Sequence, residues 1–269
     1  MNPTYTYNQT YIWLISLTAA LGGFLFGYDW VVIGGAKPFY EPYFNITSVE
    51  DQGWGTSSAL VGCMVGAALC ILISDRLGRK RLLIFSGFLF SLSAIGTALA
   101  DTFWAFNFYR IVGGVAMGIA LNLSPLYISE LAPADKRGRL VTINQLLIMF
   151  GVLLAQVANW QISLLDTQLS EQAGFEEIAQ SWNGQVGWRW MFGAELIPAA
   201  LFFVLMFFVP ESTRWLIKNN QVEKARKILM KIGGADYAED SIRETRSTLS
   251  DGDLGQVNLK ELFRKNVLY

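Results

Sequence analysis

The sequence predicts an all-α membrane protein in which six transmembrane helices are followed by amphipathic cytoplasmic helices. Of its 269 residues, 52% are hydrophobic and only 16% are charged, which is too apolar for a soluble globular domain. Six apolar segments are each long enough to cross a hydrocarbon core of about 30 Å, which takes roughly 20 helical residues. The predicted spans comprise residues 11–36, 54–74, 82–100, 104–127, 140–164 and 188–209.

The spans carry two further signals of membrane helices. The ten residues before the first span contain no Lys or Arg, so they lack the basic region of a cleavable signal peptide, and we predict that this span is retained. Small residues four apart mark the second and fourth spans, Gly62 with Gly66 and Gly114 with Gly118. This spacing indicates close helix packing in lipid.

The distribution of basic residues predicts the orientation, because cytoplasmic loops carry an excess of Lys and Arg. Of the 21 Lys and Arg, four lie in residues 76–81, three in residues 136–139 and eleven after Pro210, in the two even-numbered connections and the tail. Both ends of the chain are therefore predicted to be cytoplasmic, in the plasma membrane or, in a bacterium, the inner membrane. The lipid bilayer is the expected partner. The net charge of −1 gives no indication of nucleic-acid binding.

The polar segments carry the next predictions. Residues 166–182 mix acidic and apolar side chains and predict either a short helix at the outer interface or a solvated loop. After Pro210, the apolar stripe of residues 219–234 predicts an amphipathic helix that ends at Gly233. The stripe consists of Val222, Ala225, Leu229 and Ile232.

The tail continues with a second predicted helix over residues 236–250 and the start of another over residues 258–266. The chain is thus predicted to divide into a transmembrane domain, residues 1–209, and a cytoplasmic helical linker, residues 210–269.

Histidine is absent from the sequence, and only two cysteines occur. The most common metal ligand and the side chain that titrates nearest to neutrality are therefore missing, so we expect no metal and no cofactor. The sequence contains no phosphate-binding loop and no catalytic triad, and an enzyme is not predicted. Any proton chemistry must use carboxylates.

The connection between the second and third spans reads DRLGRKR, residues 75–81. Gly78 allows the chain to reverse, Asp75 caps a helix end, and the basic residues hold the loop in the cytoplasm. This segment resembles the signature of the major facilitator superfamily, which implies the amino-terminal domain of that fold. Ile71 departs from the signature, which has glycine there, so we expect looser or differently shaped packing between the two halves of the carrier.

Six further motifs resemble the sugar porters within that superfamily, from the first span to the start of the tail. They are GFLFGYDWVVIGGA in span one, RIVGG and PLYISELAPADKRGRL in and after span four, NQLLIMFG in span five, and GWRWMF and PESTRWL at the ends of span six. Thr213 stands where the family usually has proline. The resemblance implies a twelve-span carrier with its substrate between two six-helix halves, of which this chain would be the amino-terminal one.

The function that this resemblance implies is sugar/proton symport by alternating access. A pentose or hexose monosaccharide and a proton would be the substrates, and a missing carboxy-terminal six-helix half would be the partner. One alternative is a facilitative sugar uniporter. Another is a sugar-sensing or dimerising six-span protein that does not transport.

Asp29 is an isolated carboxylate within the first span. An ionised carboxylate near the bilayer centre costs roughly 2.5–3.5 kcal/mol on insertion scales, so it needs a partner or a water-filled cavity. Arg110 in span four and Glu195 in span six are predicted at the same depth. Burial disfavours a charged carboxylate and a nearby guanidinium favours it, so separating Asp29 from Arg110 would load a proton. The resemblance also implies proton coupling by this trio; the alternative is a static ion pair that fixes packing.

The fifth span supplies the predicted substrate side. At 100° per residue, Gln145, Val152, Gln156 and Asn159 form one stripe with three amides on an otherwise apolar helix. Amides donate and accept hydrogen bonds without bringing a charge, which suits neutral polyols. The resemblance implies that Gln145 contacts the sugar. Phe26 is a candidate wall of the pocket, with a packing role as the alternative.

Charged residues at the cytoplasmic side resemble the inner gate of the sugar porters. Such charges pair with the opposite half when the carrier faces outward, and exposed pairs contribute roughly 0–1 kcal/mol each. Solvated interface charges are the alternative for each residue singly. The candidate gate residues are Asp75, Arg76, Arg79, Glu130, Arg137, Glu211 and Arg214.

Overall fold

The structure is a computed structural model that describes residues 5–167 and 173–253. Within these residues six helices are long and apolar enough to cross a membrane. Five of them are α1 (Gln9–Tyr43), α2 (Val49–Leu77), α3 (Arg79–Ala98), α4 (Phe103–Leu131) and α5 (Arg137–Ser163). The sixth, Asn183–Phe208, consists of a π-helical turn (Asn183–Gly187), α7 (Trp188–Gly193) and α8 (Leu196–Phe208).

All six predicted spans are present, and several extend past the predicted ends. Hydropathy identifies only the apolar part of a helix, whereas the helix itself continues to its caps. For example, α2 begins at Val49, five residues before the predicted start, because Ser48 caps it: its Oγ accepts a hydrogen bond from the Asp51 N–H at 3.1 Å. Similarly, α1 continues to Tyr43, past the predicted end at Ala36.

The sixth span is not the uninterrupted helix that the sequence predicts. It opens with the π-helical turn, and α7 and α8 are separated at Ala194 and Glu195. Pro198 lies in the first turn of α8, and it has no N–H to donate to the carbonyl of Ala194, four residues earlier. The carboxylate-bearing residue Glu195 therefore lies at a break in the span.

Glycine backbones bring the helices into close contact, as the spacing of small residues predicts. A Cβ on Gly62 of α2 would overlap the carbonyl oxygen of Ile111, and a Cβ on Gly114 of α4 would overlap that of Ala59. Helices α1 and α5 meet in the same way, with Gly27 against the Ile148 carbonyl. Ile71 of α2 is exposed in this domain.

The turn between α2 and α3 depends on Gly78, as predicted. Its φ of 92° lies in the region that favours glycine, and its N–H donates to the Ser74 carbonyl at 3.1 Å, which closes the end of α2. Between α5 and the sixth span lies a short helix, α6 (Phe175–Gln180), so the helix alternative is confirmed for these six residues.

The described residues divide into two compact units, residues 12–212 and residues 5–11 with 213–253. The second unit contains α9 (Thr213–Lys218), which was not predicted, and α10 (Val222–Asp253). Ala225, Leu229 and Ile232 are buried, as the amphipathic stripe predicts. The chain kinks at Gly234, where φ is 86°, one residue after the predicted helix end, and it is helical again over the predicted second helix. Residues 258–266 lie outside the described residues.

Candidate functional site

The centre of the site is a buried ion pair between α1 and α4. The Arg110 Nη1 donates to the Asp29 Oδ1, and Arg110 Nη2 lies 3.4 Å from the Asp29 carbonyl oxygen. The side chains are only 1% (Asp29) and 2% (Arg110) exposed. The guanidinium carbon also lies 5.3 Å from the ring centre of Phe192 on α7, so aromatic and anionic groups both surround the cation. The predicted pairing of Asp29 with Arg110 is therefore present.

Small residues make room for this pair. A Cβ on Gly113, in the α4 turn after Arg110, would lie 3.4 Å from Asp29 Oδ2 and 3.1 Å from the Ser93 Cβ of α3. The Ser93 hydroxyl donates to the Tyr109 carbonyl at 2.8 Å, which ties α3 to α4 at this level. The local sequence thus lets α1 approach α4 closely enough for a carboxylate to reach the guanidinium.

Glu195 is the third member of the predicted trio, and it is also buried, with 2% of its surface exposed. It lies within electrostatic range of both Asp29 and Arg110. Among the described residues, Glu195 Oε1, Asp29 Oδ2 and Arg110 Nε have no hydrogen-bond partner. Two carboxylates and one guanidinium are therefore buried in the domain, and Asp29 is the carboxylate that binds the guanidinium.

The predicted amide stripe of α5 divides into two parts. Gln145 and Gln156 are exposed on the surface of this domain. Asn159, by contrast, is buried against α1, where its Nδ2 donates to the Val32 carbonyl at 3.0 Å. Its inclusion in a sugar-binding stripe was wrong, because Gly35 leaves space for this amide between the two helices.

Phe26, the predicted wall residue, is half-buried on α1 and stacks on Trp30. Gln145, Gln156 and Phe26 therefore remain accessible on the domain surface, while Asp29, Arg110 and Glu195 are enclosed. The structure separates an accessible polar and aromatic surface from a buried charged cluster.

Arg79 joins the carboxy-terminal ends of α2 and α4 to the amino-terminal end of α3. Its guanidinium donates to both Glu130 oxygens at 3.1 and 3.0 Å, to Asp75 Oδ1 at 2.9 Å and to the Ser74 carbonyl at 3.1 Å. The Arg79 and Glu130 side chains are 9% and 5% exposed. The expectation of weak, exposed pairs was therefore wrong for Arg79 and Glu130, since this pair is bidentate and removed from solvent.

Glu211 caps the amino-terminal end of α3. Its Oε1 accepts the backbone N–H groups of Arg79 and Lys80, each at 3.0 Å, and that of Ser212 at 2.8 Å. A carboxylate at this position satisfies unpaired N–H groups and compensates the helix dipole. Ser212 also donates its hydroxyl to Glu130, so the segment after α8 is bound to the Arg79 cluster.

The remaining candidate gate residues are exposed, and of these Asp75 contacts Arg79. Arg76 and Arg137 are exposed, and the Asp75 side chain is 53% exposed although it binds Arg79. Arg214 is exposed and belongs to the second compact unit.

Sequence reasoning gave no role to Arg189, which connects the carboxy-terminal ends of α1 and α3 to α7. It donates to the carbonyls of Ala98 and Ala100 at 2.9 and 2.8 Å and to the Tyr43 hydroxyl at 2.8 Å. It also pairs with Asp101 at 3.1 Å. Its position in the sequence was a signal, because it is one of few basic residues outside the basic segments 76–81 and 136–139 and the tail after Pro210.

Comparisons with known proteins agree with this architecture. Residues 15–269 match the family model described as "Sugar (and other) transporter". The chain is 39% identical to the D-xylose-proton symporter of Escherichia coli K12, over 91% of this chain and 53% of that protein. It is 42% identical to the glucose transport protein of a Synechocystis strain, over 91% of this chain and 50% of that protein.

Solved structures give the same result. The major facilitator superfamily proton:xylose symporter XylE, bound to 6-bromo-6-deoxy-D-glucose, superposes with a TM-score of 0.84 at 38% identity. The match covers 94% of this chain and 56% of that one. The chain therefore spans about half the length of the relatives it matches.

Proposed function

Because the chain belongs to the sugar (and other) transporter family, we propose that it is the amino-terminal half of a sugar/proton symporter. Residues 1–209 form the carrier domain, and residues 210–269 link it to a second six-helix half. Relatives whose names give them as D-xylose- or arabinose-proton symporters are about twice as long as this chain, which supports the need for that second half. The family is one of transporters, not enzymes.

The buried Asp29–Arg110 pair is the observation that carries the proton half of this proposal. Desolvating both charges costs several kcal/mol per ion, so a domain that only had to hold α1 against α4 would gain as much from apolar contacts. A movement of α1 away from Arg110 leaves the Asp29 carboxylate without its cation in a low-dielectric site, which favours proton uptake. The return of α1 releases the proton, and Glu195, which is also buried, is the second candidate carboxylate.

The sugar half of the proposal rests on the exposed side chains of α1 and α5. Gln145 and Gln156 offer donors and acceptors to sugar hydroxyls, and Phe26 covers an apolar part of the ring. These side chains are accessible on this half, as expected if the substrate, a pentose or hexose monosaccharide, binds between the two halves.

The Arg79 cluster is the proposed inner gate, on the cytoplasmic side. Arg79, Glu130, Asp75 and Glu211 hold α2, α3, α4 and the segment after α8 together as one block. Arg76, Arg137 and Arg214 are the exposed cations that would meet the second half. This arrangement requires both ends of the chain to lie on the cytoplasmic side of the plasma membrane, or of the inner membrane in a bacterium.

Transport by a complete carrier in proteoliposomes tests the proposal. We expect saturable uptake of a radiolabelled pentose or hexose and, on addition of sugar, an alkaline shift of the medium from which sugar and protons enter. Proteoliposomes with the six-helix domain alone are the control, and we expect no saturable uptake from them. Uptake without a pH change would instead support a facilitative uniporter, in which Asp29 and Arg110 only join two helices. Binding without uptake would support a sensor.

A further inference from the structure

Trp30 directly follows Asp29 on α1 but has the opposite environment. Half of the Trp30 surface is exposed, whereas Asp29 is almost fully buried. Consecutive residues of a helix point about 100° apart, so one turn of α1 presents the carboxylate to α4 and the indole to the domain surface. The Phe26 ring lies beside the indole at a centroid distance of 6.1 Å and an interplanar angle of 23°. The two rings therefore form one aromatic surface.

The packing of α1 on α5 shows which side of the domain this aromatic surface faces. The contacts show that the two helices run parallel: Gly27 lies against Ile148, and further along both helices Gly35 lies against Asn159. Trp30 is consequently at a depth between Gln145 and Gln156. On α1, Trp30 lies about a quarter turn from the residues that face α5. On α5, Gln145 and Gln156 lie about a quarter turn from the residues that face α1, in the opposite rotational sense. Because the two helices are parallel, these opposite rotations place Trp30 and the two glutamines on the same side of the helix pair.

One surface of the domain thus combines an exposed indole and two exposed amides. A pyranose ring has the matching chemistry, since its faces carry C–H groups and its edge carries hydroxyls. The indole face is the negative end of the ring quadrupole and attracts such C–H groups, while the indole N–H can donate to a hydroxyl. A bilayer-facing tryptophan would not require amides beside it at the same depth.

We propose that Trp30, supported by Phe26, is the aromatic platform on which the ring of a neutral pyranose stacks, and that it sets the affinity of the carrier for cyclic sugars. This inference rests on the proposed sugar transport and adds a residue to its substrate site. It also puts the sugar-contacting residue next to Asp29 on the same helix. A shift of α1 that follows sugar binding at Trp30 would therefore move the Asp29 carboxylate relative to Arg110.

The test compares three variants of a complete carrier in proteoliposomes, with radiolabelled D-xylose and D-glucose as probes. Trp30→Leu removes the aromatic ring, Trp30→Phe keeps a smaller ring, and Trp104→Leu is the matched control. Trp104 is 83% exposed in the first turn of α4, where tryptophan is common at membrane interfaces. We expect Trp30→Leu to raise the half-saturation concentration about 2- to 12-fold, Trp30→Phe to raise it less, and Trp104→Leu to leave it unchanged.

A binding measurement separates stacking from a spacer role. Addition of sugar should change the tryptophan emission of the unsubstituted carrier, and Trp30→Phe should lose most of that change while it still transports. The proposal is overturned if Trp30→Leu and Trp30→Phe have equal effects, or if Trp30→Leu lowers only the maximal rate. An unsubstituted carrier that takes up no sugar would overturn the proposed function and this inference together, whereas normal uptake with an unchanged half-saturation in Trp30→Leu would overturn the inference alone.

Discussion

Asp29 and Arg110, 81 residues apart in the sequence, form an ion pair with both side chains almost completely removed from solvent. The pair joins the middle of α1 to the first half of α4, and Glu195 approaches it from the break between α7 and α8. Three spans thus supply one charge cluster. Any movement of α1 relative to α4 must change the electrostatic environment of the carboxylates, which is the property that proton coupling requires.

The glycine contact between α2 and α4 gives a prediction for stability. In Gly62→Ala the added methyl group would overlap the Ile111 carbonyl and lie 3.0 Å from Gly114 Cα, so the helices must separate. We expect a loss of about 1–3 kcal/mol in the free energy of unfolding. Gly53→Ala on the same helix is the control, because a Cβ there meets no atom of the described residues within 4 Å. Thermal unfolding in detergent measures both, and equal midpoints would contradict the close packing of α2 on α4.

The Arg79 cluster gives a second prediction. Arg79→Ala leaves the buried Glu130 carboxylate without its guanidinium, and breaking a buried pair in this way costs about 3–5 kcal/mol. Arg76→Ala, three residues earlier and exposed, should change the unfolding midpoint little. The measurement is the unfolding midpoint of each purified variant. If Arg79→Ala were as stable as Arg76→Ala, the cluster would not hold these ends of α2, α3 and α4 together.

The sequence predicted what depends on local pattern. Apolar length located all six spans, glycine spacing predicted close packing of the second and fourth spans without naming their partners, and the isolated charge of Asp29 indicated the need for a cation at the depth of Arg110. Each of these features can be recognised from the residues of a single helix or from the cost of burying a single charge.

Features that depend on contacts between distant segments were not predicted. The burial of Arg79 requires Glu130, which lies 51 residues away on α4. Asn159 is buried, and not exposed with the predicted amide stripe, because Gly35 on another helix leaves space for its side chain. The break at Glu195 was also missed, because mean hydropathy over a span carries no information on backbone geometry. Pro198 was a signal of this break in the sequence.

Gln145 and Asn159 are both amides of α5, but their replacement by alanine should affect different properties: half-saturation for Gln145 and stability for Asn159. Gln145→Ala in a complete carrier removes a donor and an acceptor from the proposed sugar site, a loss of about 1–3 kcal/mol, or about 5- to 150-fold in half-saturation. Asn159→Ala removes a buried hydrogen bond to Val32, so it should lower stability by about 1 kcal/mol with little change in half-saturation. Uptake kinetics and unfolding midpoints distinguish the two. An unchanged half-saturation in Gln145→Ala would exclude this residue from the sugar site.

The replacement of Asp29 by asparagine separates symport from facilitation. Asn keeps the size of Asp and can accept a hydrogen bond from Arg110, but it cannot titrate, so proton-driven accumulation of sugar should vanish. Exchange of sugar at equal concentration should survive, because Gln145, Gln156 and Trp30 are unchanged and the neutral amide imitates a protonated acid. The measurements are uptake with and without an imposed pH gradient, and counterflow at equal pH on both sides.

Glu195→Gln is the parallel variant, since Glu195 is the other buried carboxylate of the cluster. Full accumulation by Asp29→Asn together with its loss in Glu195→Gln would assign the coupling to Glu195. Full accumulation by both variants would leave the Asp29–Arg110 pair with only a structural role between α1 and α4.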